Sequence, residues 1–225
     1  DYFNYDSLLA AMRGVDVLLL VSSSSITGRY EQHSNAIKAA KESGIKHIVY
    51  TSVLKSSPDS KFSGGMDHVK TEAEIKASGI PYTIMGNTYY ADFLPMLLGD
   101  ARVNFASRND MAEANAVVLS NPSAHQNKVY NITALKAYTF TEIAVMLSDI
   151  VNAPVNYVDI PLEDLKKGML QHGLPENVTG MMASIAETMK AGEFDYADDT
   201  LKKLIGHPPL DLKDFLKSVY GTKSL

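Results

Sequence analysis

Five consecutive apolar residues, Val17 to Val21, bounded by Asp16 and by Ser22 to Ser25, predict a strand buried on both faces, one that belongs inside a sheet. Ahead of it the chain offers one short helix, with Asp6 as its N-cap and Gly14 just past its end, and no strand. From Tyr30 to Ser43 the residues His33, Ala36, Ile37 and Ala40 fall on one helical face, and Gly44 stops the helix. "HIVYTS" (His47 to Ser52) predicts a second strand, followed by the Ser-, Pro- and Gly-rich loop "KSSPDSKFSGG". A helix from Asp67 to Ser78 ends at Gly79, and "YTIM" (Tyr82 to Met85) is a third strand. Strand and helix alternating at this spacing imply right-handed parallel crossovers, hence an open α/β sheet with helices on both faces.

The later part carries less sheet. Tyr89 to Leu98 and Asp110 to Leu119 read as helices, and Lys128 to Asn131 as a fourth strand. Thr139 and Glu142 form a capping box ahead of Ile143 to Val151, and "VNYV" (Val155 to Val158) reads as a short further strand. Beyond Pro161 the pattern is helical over Leu162 to Gln171, Pro175 to Ala191, Thr200 to Ile205 and Leu212 to Tyr220. The expected division is a parallel-sheet domain over residues 1–135 and a small, mostly helical C-terminal subdomain over residues 136–225.

Composition narrows the chemistry. The 225 residues suffice for a real core, and a net charge of −5 without a basic run argues against a nucleic-acid partner. Zero cysteines remove disulfides, thiolate nucleophiles and Cys-ligated metals, which fits a cytoplasmic setting. No apolar run approaches the ~20 residues that span a bilayer, so no membrane partner is expected. His68 and Glu72, at i and i+4, lack an evident third ligand, so no metal site is expected.

In an open parallel sheet ligands collect beyond the carboxyl ends of the strands. The residues there are Ser22 to Ser25, Thr51 and Ser52, and Gly86 to Tyr90. Their hydroxyls, amide and phenols can hold a sugar, phosphate or amide, but do not by themselves perform acid–base work at neutral pH. The plainer alternative is that these residues cap the following helices. None of the 12 tyrosines has a lysine four residues on, so the usual tyrosine–lysine proton-transfer pair of dehydrogenases is absent.

Taken in order, "DYFNYDSLLAAMRGVDVLLLVSS", "QHSNAIKAAKESGIKHIVYTS", "DHVKTEAEIKASGIPYTIMGNTYYADF", "VNFASRNDMAEANAVVL" and "LIGHPP" resemble the NmrA-like family of atypical short-chain reductases, in its bacterial quinone oxidoreductase and triphenylmethane reductase branch. The resemblance implies a Rossmann-like fold, NADPH as hydride donor, a quinone or similar electrophilic aromatic as acceptor, and leaves a homodimer open. By position it implies Asp1 and Tyr2 near the adenine, Ser22, Ser23 and Ser24 along the ribose and nicotinamide side, and Thr51 and Ser52 beneath the nicotinamide. Asn87, Thr88, Tyr89, Tyr90, Ala91 and Asp92 would wrap the cofactor, with Arg108 closing over it.

His68 and Tyr90 are the catalytic candidates, His68 by orienting the carboxamide or donating to the oxygen that gains charge. The bland alternatives are a solvent-facing His68, a surface ion pair of Arg108 with Asp110 or Glu113, and Tyr89 and Tyr90 as core residues. Family members also begin with strands and a glycine-rich turn. Their absence here implies either a portion of a longer chain or a short form that covers the Val17 to Val21 edge differently. A longer segment is likewise expected between Leu98 and Asp100. A second functional class within the family, redox-sensing regulators that bind dinucleotide without turnover, is the alternative reading.

Overall fold

The computed structural model of the chain describes residues 1–96 and 101–221. In chain order its first part holds α1 (Tyr5–Met12), β1 (Val17–Leu20), α2 (Arg29–Glu42), β2 (His47–Val53), α3 (Gly65–Ala77), β3 (Tyr82–Asn87) and β4 (Tyr89–Tyr90). A 3-10 stretch, Ala91–Met96, precedes β5 (Arg102–Ala106), α4 (Arg108–Ser120), β6 (Lys128–Ile132) and β7 (Ala137–Thr139). The helices α5 (Phe140–Val151), α6 (Leu162–Gln171), α7 (Glu176–Lys190), α8 (Thr200–Ile205) and α9 (Leu212–Tyr220) complete it. The chain groups into two compact units, one of Asp1–Asn87 with Ala114–Asn131, the other of Thr88–Glu113 with Ile132–Leu225.

The first unit is built on a sheet of order β1-β2-β3-β6, in which β1–β2 and β2–β3 are parallel. Parallel neighbours joined through α2 and α3 make this the open α/β sheet the pattern predicts, in the Rossmann-like form the resemblance implies. One face carries Leu20, Ile48 and Tyr50, packed with Ala36, Ile37 and Ala40 of α2, Ile75 of α3, and Leu8 and Met12 of α1. Each large side chain buried there contributes about 1.5–3 kcal/mol. Among the described residues β1 hydrogen-bonds only β2, with Val17 opposite His47 through Leu20 opposite Tyr50. Burial on both faces is therefore not reached: Val17 to Leu19 are half-buried, only Leu20 is fully buried, and Val21 is 52% exposed beyond the strand's end.

In the second unit β4, β5 and β7 form a small sheet, β4–β5 parallel and β5–β7 antiparallel. The capping box forms as the sequence predicts: Thr139 Oγ1 accepts from the Glu142 N–H at 3.1 Å, and the Glu142 carboxylate accepts from the Thr139 N–H at 2.7 Å.

Three local expectations are corrected. The N-cap of α1 is Asn4, whose Oδ1 accepts from the Ser7 N–H at 2.9 Å, and not Asp6, which lies within the helix. The helix expected over Tyr89 to Leu98 is instead the two-residue strand β4 and a 3-10 stretch, because Pro95 has no N–H for an α-helical bond. Leu98 itself, and the segment expected between Leu98 and Asp100, lie outside the described residues. The strand expected at Val155 to Val158 does not form: the Ser148 hydroxyl accepts from the Val155 N–H at 2.9 Å and lies 3.1 Å from its carbonyl. Strands β5 and β7 were not expected from the pattern. No helix among the described residues is long and apolar enough to cross a membrane.

Candidate active site

The carboxyl ends of β1 and β2 are joined by side chains rather than by sheet pairing. The Ser22 N–H donates to Thr51 Oγ1 at 2.8 Å. The Ser23 N–H donates to His33 Nε2 at 2.9 Å, while the Ser23 carbonyl accepts from Arg29 Nε at 2.9 Å. Arg29 and His33, one turn apart on α2, thus clamp both main-chain groups of Ser23. Because His33 Nε2 accepts, its ring proton sits on Nδ1, which donates to Thr71 Oγ1 at 2.8 Å, and the Thr71 hydroxyl passes on to the Asp67 carbonyl at 2.6 Å. Burial, reinforced by the Arg29 charge, pushes His33 down to about 4, so this neutral tautomer persists at physiological pH.

His68 lies in the first turn of α3 and is 7% exposed, so it does not face solvent. Its Nδ1 is 2.8 Å from the hydroxyl of the fully buried Tyr50. Burial, with the Arg29 charge and His33 adding to it, pushes His68 down to about 3, and burial pushes the Tyr50 phenol up. The pair is therefore a neutral imidazole against a neutral phenol. His68 Nε2 makes no hydrogen bond with a described residue. Ser52 Oγ donates to the Glu72 carboxylate at 2.7 Å, and Glu72 also pairs with Lys76 at 3.2 Å.

The other predicted residues of this unit vary in placement. Tyr2 reaches the end of β1, its hydroxyl donating to the Val21 carbonyl at 3.1 Å. Asp1 instead serves its own turn, accepting from the Phe3 and Asn4 N–H groups. The Ser23 hydroxyl accepts from the Ser25 N–H at 3.1 Å, a turn-capping role, and Ser24 is exposed. Asn87 is buried at the end of β3, its carbonyl accepting from the Leu54 N–H at 2.8 Å.

In the second unit, the Thr88 N–H donates to the Ile132 carbonyl at 3.0 Å and its hydroxyl to the Asn104 carbonyl at 2.9 Å. The Tyr89 ring meets Phe105 and Phe194 edge-on, and Ala91 is buried. Tyr90 lies against Phe93 with ring centroids 5.8 Å apart. Arg108 pairs with neither Asp110 nor Glu113. Its Nε meets Asp92 at 3.0 Å, its backbone N–H donates to the same carboxylate at 3.0 Å, and its guanidinium lies over the Phe93 ring. Burial raises the Asp92 carboxyl, but the Arg108 contacts outweigh it and hold Asp92 below its ordinary range. Two predicted site residues thus form one ion pair, while Asp110 accepts from Ser107 and Glu113 contacts His207.

Arg29, His33, Tyr50 and Glu72 were not anticipated as site residues. The available signal was polar: Arg29 and His33 sit at i and i+4 in "GRYEQH", with His33 on the same stripe as Ala36, Ile37 and Ala40. Tyr50 likewise shares a strand face with Ile48 and Ser52. No group of three or more His, Asp or Glu able to hold a metal occurs among the described residues.

Quinone oxidoreductase 2 of Escherichia coli is 34% identical, over 100% of this chain and 82% of the relative. The structure of an Escherichia coli NADPH-dependent quinone oxidoreductase complexed with NADPH matches with a TM-score of 0.90 at 33% identity, covering 98% of this chain and 82% of that one. Triphenylmethane reductase from Citrobacter, solved in complex with NADP(H), matches with a TM-score of 0.88 at 31% identity, covering 100% of this chain and 82% of that one. The model of the NmrA-like family matches residues 1–216, and the chain belongs to that family.

Proposed function

We propose that this chain is an NADPH-dependent oxidoreductase that reduces a quinone or similar electrophilic aromatic. The observation that carries the reading is His68, a buried neutral imidazole held at Nδ1 by Tyr50, with Nε2 unengaged by any described residue. The names of the relatives support the same chemistry.

The residues at the strand ends fit a dinucleotide. Side chains of α2 and β2 pin the main chain of Ser22 and Ser23, so their conformation is set before a ligand arrives. In this reading Ser22, Ser23, Thr51 and Ser52 hold the nicotinamide side, and Asn87 the turn after β3. When bound, NADPH supplies the hydride. Tyr50 remains a phenol and donates to Nδ1, which places the His68 proton on Nε2, from where it donates to the oxygen that gains charge. A quinone oxygen becomes a phenolate of moderate basicity, so one weak donor or water completes protonation and no strong general acid is required.

The test is loss of NADPH absorbance with a panel of quinones. Steady turnover is expected, with His68→Asn lowering kcat roughly ten- to a hundred-fold while dinucleotide affinity stays near wild type. Tight dinucleotide binding without turnover on any acceptor would instead favour a regulatory sensor.

A further inference from the structure

Arg29 is a buried cation with no counter-charge. It is 7% exposed, its Nε is spent on the Ser23 carbonyl, and its terminal nitrogens make no hydrogen bond or ion pair with any described residue. No carboxylate among the described residues forms an ion pair with Arg29. Glu72 holds Ser52 and Lys76, Glu74 accepts from the Ser34 hydroxyl, and Glu31 is exposed. Asp67 offers its carbonyl to Thr71 and forms no ion pair with Arg29. A guanidinium so largely removed from water, with no counter-charge, gains from an anion that joins it, and its terminal nitrogens are not among the fully enclosed unpartnered atoms, so an anion can reach them.

A second positive feature lies beside it. The 13-residue helix α3 begins at Gly64 as N-cap with no side-chain cap. A Cβ built on Gly64 would meet Arg29 Nη1 closer than any real Cβ tolerates, so the guanidinium packs directly on the start of the helix. The helix end carries partial positive charge, and the guanidinium adds a full one. The rings of Phe62 and His68, 6.4 Å apart, lie at the same helix start.

We infer that Arg29 and the start of α3 form an oxyanion site, which takes a phosphoryl or carboxylate group of a bound ligand. The planar fork of arginine suits either group. This goes beyond the oxidoreductase reading in assigning a new anchor, and rests on that reading only for the identity of the occupant. The Arg29 charge that depresses both His33 and His68 also makes these rings reporters, because an anion beside Arg29 relieves them.

The experiment titrates inorganic phosphate into the full chain and follows the His33 and His68 ring resonances by NMR, with sodium chloride at matched ionic strength as control. Saturable shifts are expected with phosphate and not with chloride, weakened about tenfold or more in Arg29→Gln. Absence of saturation in the wild type, or an undiminished effect in a folded Arg29→Gln, overturns the inference. Should Arg29→Gln not fold, Gly64→Ala decides, since its Cβ displaces Nη1 and leaves Nε in place. Weaker phosphate binding supports the site, and unchanged binding overturns it. Competition then separates the sources: NADP+ displacing phosphate assigns the dinucleotide's phosphoryl group, and a carboxylated quinone displacing it assigns the acceptor. A chain that binds phosphate at Arg29 yet oxidises no NADPH refutes the oxidoreductase reading alone.

Discussion

At the scale of single residues, Asn104 shows how a buried amide can hold a unit together. It is fully buried in β5, its Nδ2 donates to the Ala134 carbonyl at 2.8 Å and the Lys136 carbonyl at 3.2 Å, and its Oδ1 accepts from the Ala134 N–H at 2.8 Å. Removing one partner from such a set leaves the others desolvated and unpaired. Asn104→Ala is therefore expected to cost about 2–4 kcal/mol, read as a lowered urea midpoint, and a loss below about 0.5 kcal/mol would refute the assignment. Nothing in "RVNFA" announces this role, because an asparagine in a short apolar run reads as an interruption. His68 enters as a candidate because the resemblance supplies it. Arg29, His33 and Tyr50 were hidden for the opposite reason: on an apolar stripe a polar residue reads as tolerated, and only three-dimensional neighbours reveal what it binds.

At the scale of elements, β3 depends on one missing side chain. A Cβ on Gly86 would lie 3.2 Å from both the Tyr130 and Val53 carbonyl oxygens, so backbone closes on it from two sides and neither side is a flexible tip. Gly86→Ala is expected to destabilise by about 1–3 kcal/mol, and Gly86→Val by more, in urea melts of the two variants. Equal midpoints for all three proteins would show that β3 yields freely. Legibility at this scale follows period and length. The β1, β2 and β3 runs and the helices α2, α3 and α5 to α9 carry periodic apolar faces or caps, and they form within a few residues of expectation. The failures have local causes. Val155 to Val158 alternates like a strand, but the Ser148 side chain occupies the Val155 backbone. The strands β4 and β7 are two and three residues long, too short for any pattern to mark.

At the scale of the whole molecule, buried neutral histidines set the acid limit. His33, His47 and His68 are 0%, 2% and 7% exposed and all belong to the first unit. Burial lowers His33 to about 4 and His68 to about 3, and burial with the nearby His125 charge lowers His47 as well. In the unfolded chain each titrates near 6.5. Above that pH both states are neutral and these groups leave stability flat. Below it the unfolded chain takes up protons that the folded chain refuses, so stability falls as pH drops from about 6.5 and the loss is complete only below the folded values. His33 and His68 together give a slope approaching about 3 kcal/mol per pH unit near pH 5, and His47 adds in the same direction. His207 works oppositely: the Pro208 carbonyl and Glu113 raise its value, so its contribution is present below about 6.5 and fades as pH rises. It is exposed and screened, hence the weaker effect. Depressed carboxyls such as Asp92 enter only below about pH 4, which leaves the interval from pH 6.5 to 5 to the histidines. The urea midpoint is therefore expected to fall steeply across that interval, and His33→Gln, which removes one titrating group, to flatten the fall. A midpoint level between pH 7 and 5 would mean that these rings accept protons in the folded state, and with that the Ser23 clamp, which requires an unprotonated His33 Nε2, would lose its basis.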